Sequence, residues 1–169
     1  VVFPQRREGR IRVGYFSSDF YNHATMYLMA ELFDSHTKDL FEIHAFSFGM
    51  QVFDGMRNRI ECAVEYFHDV SGKSDHAVAA LARDLGIDIA VDLKGFTWEG
   101  RPGIFANRCA PVQVSYLGYP GTTAANYMDY VIADTVVLPE SLQPFFTEKA
   151  VYMPHSYQVN DRHRVIADR

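Results

Sequence analysis

Short runs of β-branched and aromatic residues alternate with segments of helical apolar spacing along most of the chain, and this alternation narrows the fold more than any other feature. Residues 11–18 (Ile-Arg-Val-Gly-Tyr-Phe-Ser-Ser) read as a strand that breaks into polar Ser18-Asp19. From His23 to Phe33, Met26, Leu28, Met29, Leu32 and Phe33 recur at helical spacing with no glycine or proline between them. The unit then repeats. A second strand is expected over Phe41–Phe48, helical spacing over Phe53–Cys62 and a weaker third strand over Ala63–Val70. Asp75–Leu85 is an alanine- and leucine-rich helix closed by Gly86, a residue that tolerates the positive φ of a helix C-terminus. Ile87–Leu93 reads as a fourth strand and Pro102–Ala106 as a short helix, with further strands at Val112–Leu117, Tyr130–Ala133 and Ala150–Met153. Thr135–Glu148, with Pro139 and Pro144, reads as a surface loop. Strands alternating with helices through short connections imply a parallel sheet covered on both faces by right-handed crossovers. The expected fold is an α/β Rossmann-like three-layer sandwich with a mainly parallel sheet.

Composition limits what such a sandwich does. The 169 residues suit one core, and 48% hydrophobic residues are enough to fill it. A formal net charge of −5 argues against a broad grip on a nucleic-acid backbone, although a local basic group can still meet a single phosphate. Cys62 and Cys109 are far apart and form no CxxC pair, so neither a zinc ribbon nor a disulfide framework is expected, which fits a reducing compartment. No apolar run approaches the roughly 20 residues that span a bilayer. The opening Val1–Arg7 lacks the apolar core of a signal peptide. A cytoplasmic protein without membrane or nucleic-acid partners is therefore expected. The chain starts without methionine and stops after the polar stretch Asn160–Arg164, so it is also expected to be a piece of a longer protein.

Parallel sheets bind ligands beyond the carboxyl ends of their strands. Three segments fall there. In Ser17–Thr25, Asp19 and His23 are four apart and share a face if the helix begins early, placing a carboxylate and an imidazole at the mouth of a cleft, suited to taking a proton from a hydroxyl. The plainer reading has Asp19 or Asn22 capping the helix and His23 pointing to water. In Leu93–Thr97, Lys94 either meets an anion or is a solvated lysine on a glycine turn. In Leu117–Thr123, two glycines and a proline let backbone approach a ligand. The chain carries neither GxxxxGK[ST] nor GxGxxG, which disfavours an ATPase or a dinucleotide-binding dehydrogenase. Asp88 and Asp92 follow strand alternation, and His36, His44, His68, His76 and His163 form no HxxxH or HExxH, so no metal site is expected. His155, after the last strand, either reaches the same edge or is a structural histidine.

Several of these segments carry a resemblance. Ile11–Phe20 with Asn22-His23, Leu117–Thr122, Met128-Asp129-Tyr130 with Asp134, and Tyr152–His155 occur in the order found in the O-linked N-acetylglucosamine transferase family and closely resemble it, with wording nearest to bacterial members. The resemblance implies a GT-B glycosyltransferase, two Rossmann-like lobes facing each other across a cleft, with tetratricopeptide repeats ahead of the first. Residues 1–169 resemble the N-terminal lobe alone, which by itself is expected to be inactive. The implied reaction is displacement at the anomeric carbon of UDP-N-acetylglucosamine by a serine or threonine hydroxyl of a protein or peptide acceptor, with inversion. No metal or cofactor is implied, because in this family a lysine of the second lobe stabilises the diphosphate. His23 and, second to it, Asp19 match the residues beside the acceptor hydroxyl and the sugar. Leu117, Gly118 and Pro120 match the loop lying against sugar and acceptor, with Tyr119 and Thr122 as neighbours. The sequence departs from the animal enzymes at Ala24, where they have proline, and across residues 51–75. These departures leave room for another acceptor or another donor such as a fucose nucleotide. The competing expectations are a non-catalytic peptide-binding lobe or a GT-B enzyme acting on a small molecule.

Overall fold

The computed structural model describes Phe3, residues 8–164 and Ala167, so part of the opening heptad and of the expected 1–169 lobe lies outside the described residues. Strands β1 (Ile11–Ser17), β2 (Phe41–Ser47), β3 (Tyr66–Asp69), β4 (Ile89–Asp92), β5 (Val112–Ser115), β6 (Tyr130–Ala133) and β7 (Lys149–Tyr152) form one seven-stranded sheet in the order β3-β2-β1-β4-β5-β6-β7. All six pairings are parallel, a stronger statement than the mainly parallel sheet expected. Helices α1 (Ala24–Ser35), α2 (Gly55–Ala63), α3 (Asp75–Asp84) and α4 (Pro102–Ala106) lie between successive strands up to β5.

Alternation along the central strands divides the core into two layers. Val13 and Tyr15 of β1, Ile43 and Ala45 of β2 and Val91 of β4 pack with Met26, Met29 and Phe33 of α1 and Ile60 of α2. Phe16, Phe46 and Ala90 point the other way and pack with Val78, Ala79 and Ala82 of α3 and Ile104 and Phe105 of α4. Burying both faces explains why these strands read as nearly continuous apolar runs. Phe16 and Phe46 are partners in register, and their rings stack at 4.3 Å.

Local signals set the helix ends. Asp54 caps α2 by accepting the Arg57 N–H at 2.8 Å, and Ser74 caps α3 through the Ala77 N–H. Gly86 takes φ +70° and the Ile87 N–H returns to the Ala82 carbonyl, closing α3. Strand and helix bounds shift by one or two residues at several ends, and two departures are larger in kind. Ala63 ends α2 instead of opening the third strand, and Glu140–Phe145, within the expected loop, forms a 3₁₀ turn that tolerates Pro144.

On the α3 side of β2 and β3, His44 Nδ1 and His68 Nε2 lie 3.0 Å apart, and His44 Nε2 is 3.0 Å from Glu42 Oε1. A carboxylate only accepts, so the neutral pair reads His68 Nε2–H to His44 Nδ1 and His44 Nε2–H to Glu42. Burial, then the neighbouring His44, pushes His68 down to about 4, and burial lowers His44 as well. An unfolded histidine takes its proton near pH 6.5, so below that pH the unfolded chain binds more protons than the folded one. The contribution of this pair is complete above pH 6.5 and is lost as the pH falls toward 4. Thermal unfolding at pH 7 and pH 5 should show a loss on the order of 2 kcal/mol. His68→Gln should show a smaller loss.

Candidate active site

The loop after β1 folds its polar residues inward. Phe20, fully buried, anchors it against Phe33 and Phe67. The Asp19 N–H donates to Ser17 Oγ at 3.0 Å and the Tyr21 N–H to the Asp19 carbonyl at 2.7 Å, a tight turn that leaves Asp19 only 3% exposed. The Asn22 N–H donates to Asp54 Oδ2 at 2.7 Å, so the residue that caps α2 also holds this loop.

Helix α1 starts at Ala24, and its N-cap is His23 itself, with extended backbone (φ −135°, ψ 154°) and Nδ1 accepting the Thr25 N–H at 3.2 Å. The structure thus corrects the reading in which Asp19 or Asn22 caps the helix and His23 points to water. Asp19 and His23 still meet, with Nδ1 3.4 Å from Asp19 Oδ2, although the helix does not begin early. Because Nδ1 accepts from Thr25, its lone pair is in use and the neutral ring carries its proton on Nε2. Of the histidine side chain 37% is exposed against 4% of the aspartate's, so the imidazole reaches the surface while the carboxylate lies inside.

Lys94, the residue for which a solvated turn was the plainer expectation, is buried. Its ammonium lies 2.7 Å from Asp19 Oδ2, with 7% and 4% of the two side chains exposed. Ser18 Oγ–H donates to Asp19 Oδ1 at 2.9 Å, so each carboxylate oxygen has a partner. Asp92, the last residue of β4, accepts the N–H groups of Lys94 and Gly95 at 2.9 and 3.0 Å, and burial raises it above its ordinary value despite those bonds.

The β5 loop forms the adjoining wall. Leu117 adopts φ +65° at the centre of a three-residue turn closed by the Gly118 N–H to the Tyr116 carbonyl at 2.8 Å. Its side chain packs on the core layer of α1 and α2. Gly118 lies against the backbone of Leu93 and Lys94, so closely that a Cβ there would overlap the Leu93 carbonyl oxygen. Tyr119 packs edge to face on Phe96 at 5.5 Å. Pro120 is exposed. Thr122 belongs to a different cluster, because its hydroxyl donates to Glu148, just ahead of β7, at 2.6 Å.

The structure therefore brings Asp19 and His23 together, adds Lys94 to them and seats Gly118 and Tyr119 on the Lys94 loop. It ties Thr122 to Glu148, and His155 is exposed beyond β7, the edge strand four positions from β1. Among the described residues no group of three or more His, Cys, Asp or Glu side chains is placed to hold a metal ion. Lys94 is the member that sequence reasoning undervalued. The available signal was an Asp-x-Lys-Gly stretch at the end of an otherwise apolar strand.

These features define an α/β Rossmann-like lobe with a charged crevice at the point where strand order reverses, the usual ligand position of open parallel sheets. The model of glycosyl transferase family 41 matches residues 2–168, and the chain belongs to that family. It is 41% identical over 161 residues to the probable UDP-N-acetylglucosamine–peptide N-acetylglucosaminyltransferase SEC of Arabidopsis thaliana, covering 94% of this chain and 16% of that protein. The UDP-N-acetylglucosamine–peptide N-acetylglucosaminyltransferase of Caenorhabditis elegans is 40% identical over 168 residues, covering 97% of this chain and 14% of its own length. The solved structure of an O-GlcNAc transferase mutant from Thermobaculum terrenum superposes with a TM-score of 0.85 at 30% identity, over 89% of this chain and 29% of that one. The chain thus spans about a sixth of the curated relatives it matches.

The contact at Gly118 gives a direct test. In Gly118→Ala the new methyl meets the Leu93–Lys94 backbone, so the β4 and β5 loops must separate. Urea denaturation should show a loss of more than about 2 kcal/mol.

Proposed function

We propose that the chain is the N-terminal lobe of a cytoplasmic, inverting protein O-glycosyltransferase that moves N-acetylglucosamine from UDP-N-acetylglucosamine to serine or threonine hydroxyls. The observation that carries this reading is the cluster of His23, Asp19 and Lys94 at the reversal of strand order in a family 41 chain. The printed names of its relatives, which describe those proteins as peptide N-acetylglucosaminyltransferases, support the same reaction class. A second Rossmann-like lobe and tetratricopeptide repeats are proposed as partners within the parent chain, and neither a metal nor an organic cofactor is assigned a role. No helix among the described residues is long and apolar enough to cross a membrane.

In this reaction the acceptor oxygen bonds to the anomeric carbon as the bond to the diphosphate breaks, UDP leaves with the electron pair and the hydroxyl proton must be taken up. His23 is the group of this lobe suited to meet it. With Thr25 N–H on Nδ1, the ring offers an Nε2–H donor that orients a substrate oxygen. If Nδ1–H instead donates to Asp19 Oδ2, across the present 3.4 Å, Nε2 is free to accept the proton and the buried carboxylate stabilises the imidazolium that results. The loop Leu117–Pro120, held by the close fit of Gly118, forms a stiff wall against which sugar and acceptor align.

The test is an intact-mass assay of the full-length parent with UDP-N-acetylglucosamine and a serine-rich peptide. Wild type should add an N-acetylhexosamine, and His23→Ala should slow transfer by about 10²-fold or more. Transfer only from a GDP-sugar would overturn the choice of donor. No transfer from any nucleotide sugar would sink the enzyme reading in favour of a peptide-binding lobe.

A further inference from the structure

Lys94 is placed by more bonds than burial of one ammonium requires. Its N–H is held by Asp92, and its carbonyl accepts both the Thr97 N–H at 3.2 Å and the Thr97 hydroxyl at 2.8 Å. Gly118 closes over its Cα. The ammonium delivered in this way binds Asp19 Oδ2, the same oxygen that faces His23 Nδ1. Any change in the charge carried by that oxygen is therefore felt at the imidazole, because a carboxylate favours a proton on a nearby histidine and an ammonium opposes it.

Among the described residues, a phenol, two further carboxylates and, behind one of them, Arg57 act on the loop that carries His23. Tyr21, on its own loop, meets its ring edge to face at 5.8 Å. Asp54, at the start of α2, binds the Asn22 N–H and is itself faced by Arg57. Glu99 enters from the loop after β4. Burial, followed by Asp19, Glu99 and Asp54, raises the Tyr21 hydroxyl above its ordinary value, so three carboxylates act on the loop that carries His23. Lys94 pairs with one of them, Asp19.

We infer that Lys94 is a positioning residue for His23 that acts through Asp19: by holding Oδ2 and offsetting its charge, it limits how tightly the carboxylate retains a proton on the imidazole. The role in transfer rests on the function proposed above, whereas the effect on the protonation of His23 does not. In Lys94→Met a side chain of similar length carries no charge. Asp19 Oδ2 then has only His23 Nδ1 to satisfy it, and the pair holds its proton to higher pH.

Two readouts on the full-length parent test this. Carbethoxylation by diethyl pyrocarbonate modifies unprotonated imidazole, and its rate at His23, followed by peptide mass spectrometry against pH, reports the ring without any turnover. The acidic limb of kcat/KM for transfer reports the same event during catalysis. In Lys94→Met both limbs should move up by about one pH unit. Lys94→Arg, which keeps the charge, should leave them near wild type. In an Asp19→Asn background, adding Lys94→Met should move them no further.

Unmoved limbs in a Lys94→Met protein that merely melts earlier would make Lys94 a structural counter-ion and overturn the inference. An equal shift in the Asp19→Asn background would overturn the route through Asp19. If Lys94→Met does not fold, Lys94→Gln is read in its place, with limbs moved up in support and unmoved limbs against. A shifted carbethoxylation limb in a parent that transfers no sugar would uphold the inference while the proposed function fails.

Discussion

The pairing of β1 with both β2 and β4 is the constraint on which the carboxyl edge depends. From β1 the chain runs into α1, which covers one face of the sheet; from β4 it runs into α4, on the other. Two right-handed crossovers that leave adjacent parallel strands for opposite faces splay their loops apart. Both side chains that meet between these loops are buried. They are Asp19 from one loop and Lys94 from the other, 75 residues apart in sequence and 2.7 Å apart in space.

A carboxylate and an ammonium taken out of water together contribute little net stability, since desolvation offsets most of their attraction. Their value here is geometric. Ser18 and Lys94 bind different oxygens of Asp19, so the carboxyl plane is set and Oδ2 is aimed toward His23. The β5 loop adds strain to the same region. A leucine at φ +65° costs on the order of 1–3 kcal/mol, and the buried contacts of its side chain keep it there. Charge pairing and backbone strain thus meet where Gly118 touches Lys94, and motion of either loop disturbs both.

Features encoded locally were legible in the chain, and features made by distant partners were not. The seven strands and four helices follow from apolar periods and caps a few residues long, and they were placed to within a few residues of their observed bounds. Ala63 shows the limit of such reading, because a helix that runs directly into a weak strand offers no turn residue to mark the change. The spacing puts His23 near the start of α1, but its capping role depends on a backbone angle that no spacing rule reports. Lys94 beside a glycine at a strand end resembles a solvated turn until Asp19 arrives from another strand. The His44–His68 pair belongs to neighbouring strands in the same way and escapes any search for short histidine motifs. The bonding of Thr122 was hidden for a related reason. Its neighbours in sequence line the crevice, yet its hydroxyl was captured by Glu148 from the approach to β7.

The pairing of Lys94 also divides labour within the proposed reaction. A diphosphate leaving group gathers negative charge as its bond to the sugar breaks, and it needs a positive partner free to approach it. Lys94 is not free: its ammonium is bound to a carboxylate inside the crevice, and drawing it away would leave Asp19 as an uncompensated buried charge. The lobe is therefore suited to the acceptor side of the proposed reaction, where a histidine at the surface and a carboxylate behind it handle a proton, and in the proposed two-lobed parent the charge of the departing nucleotide would be met by the second lobe. That separation keeps the group receiving the proton out of the field of the group stabilising the leaving anion. In the proposed two-lobed parent, bringing the lobes together would complete a site that neither provides alone.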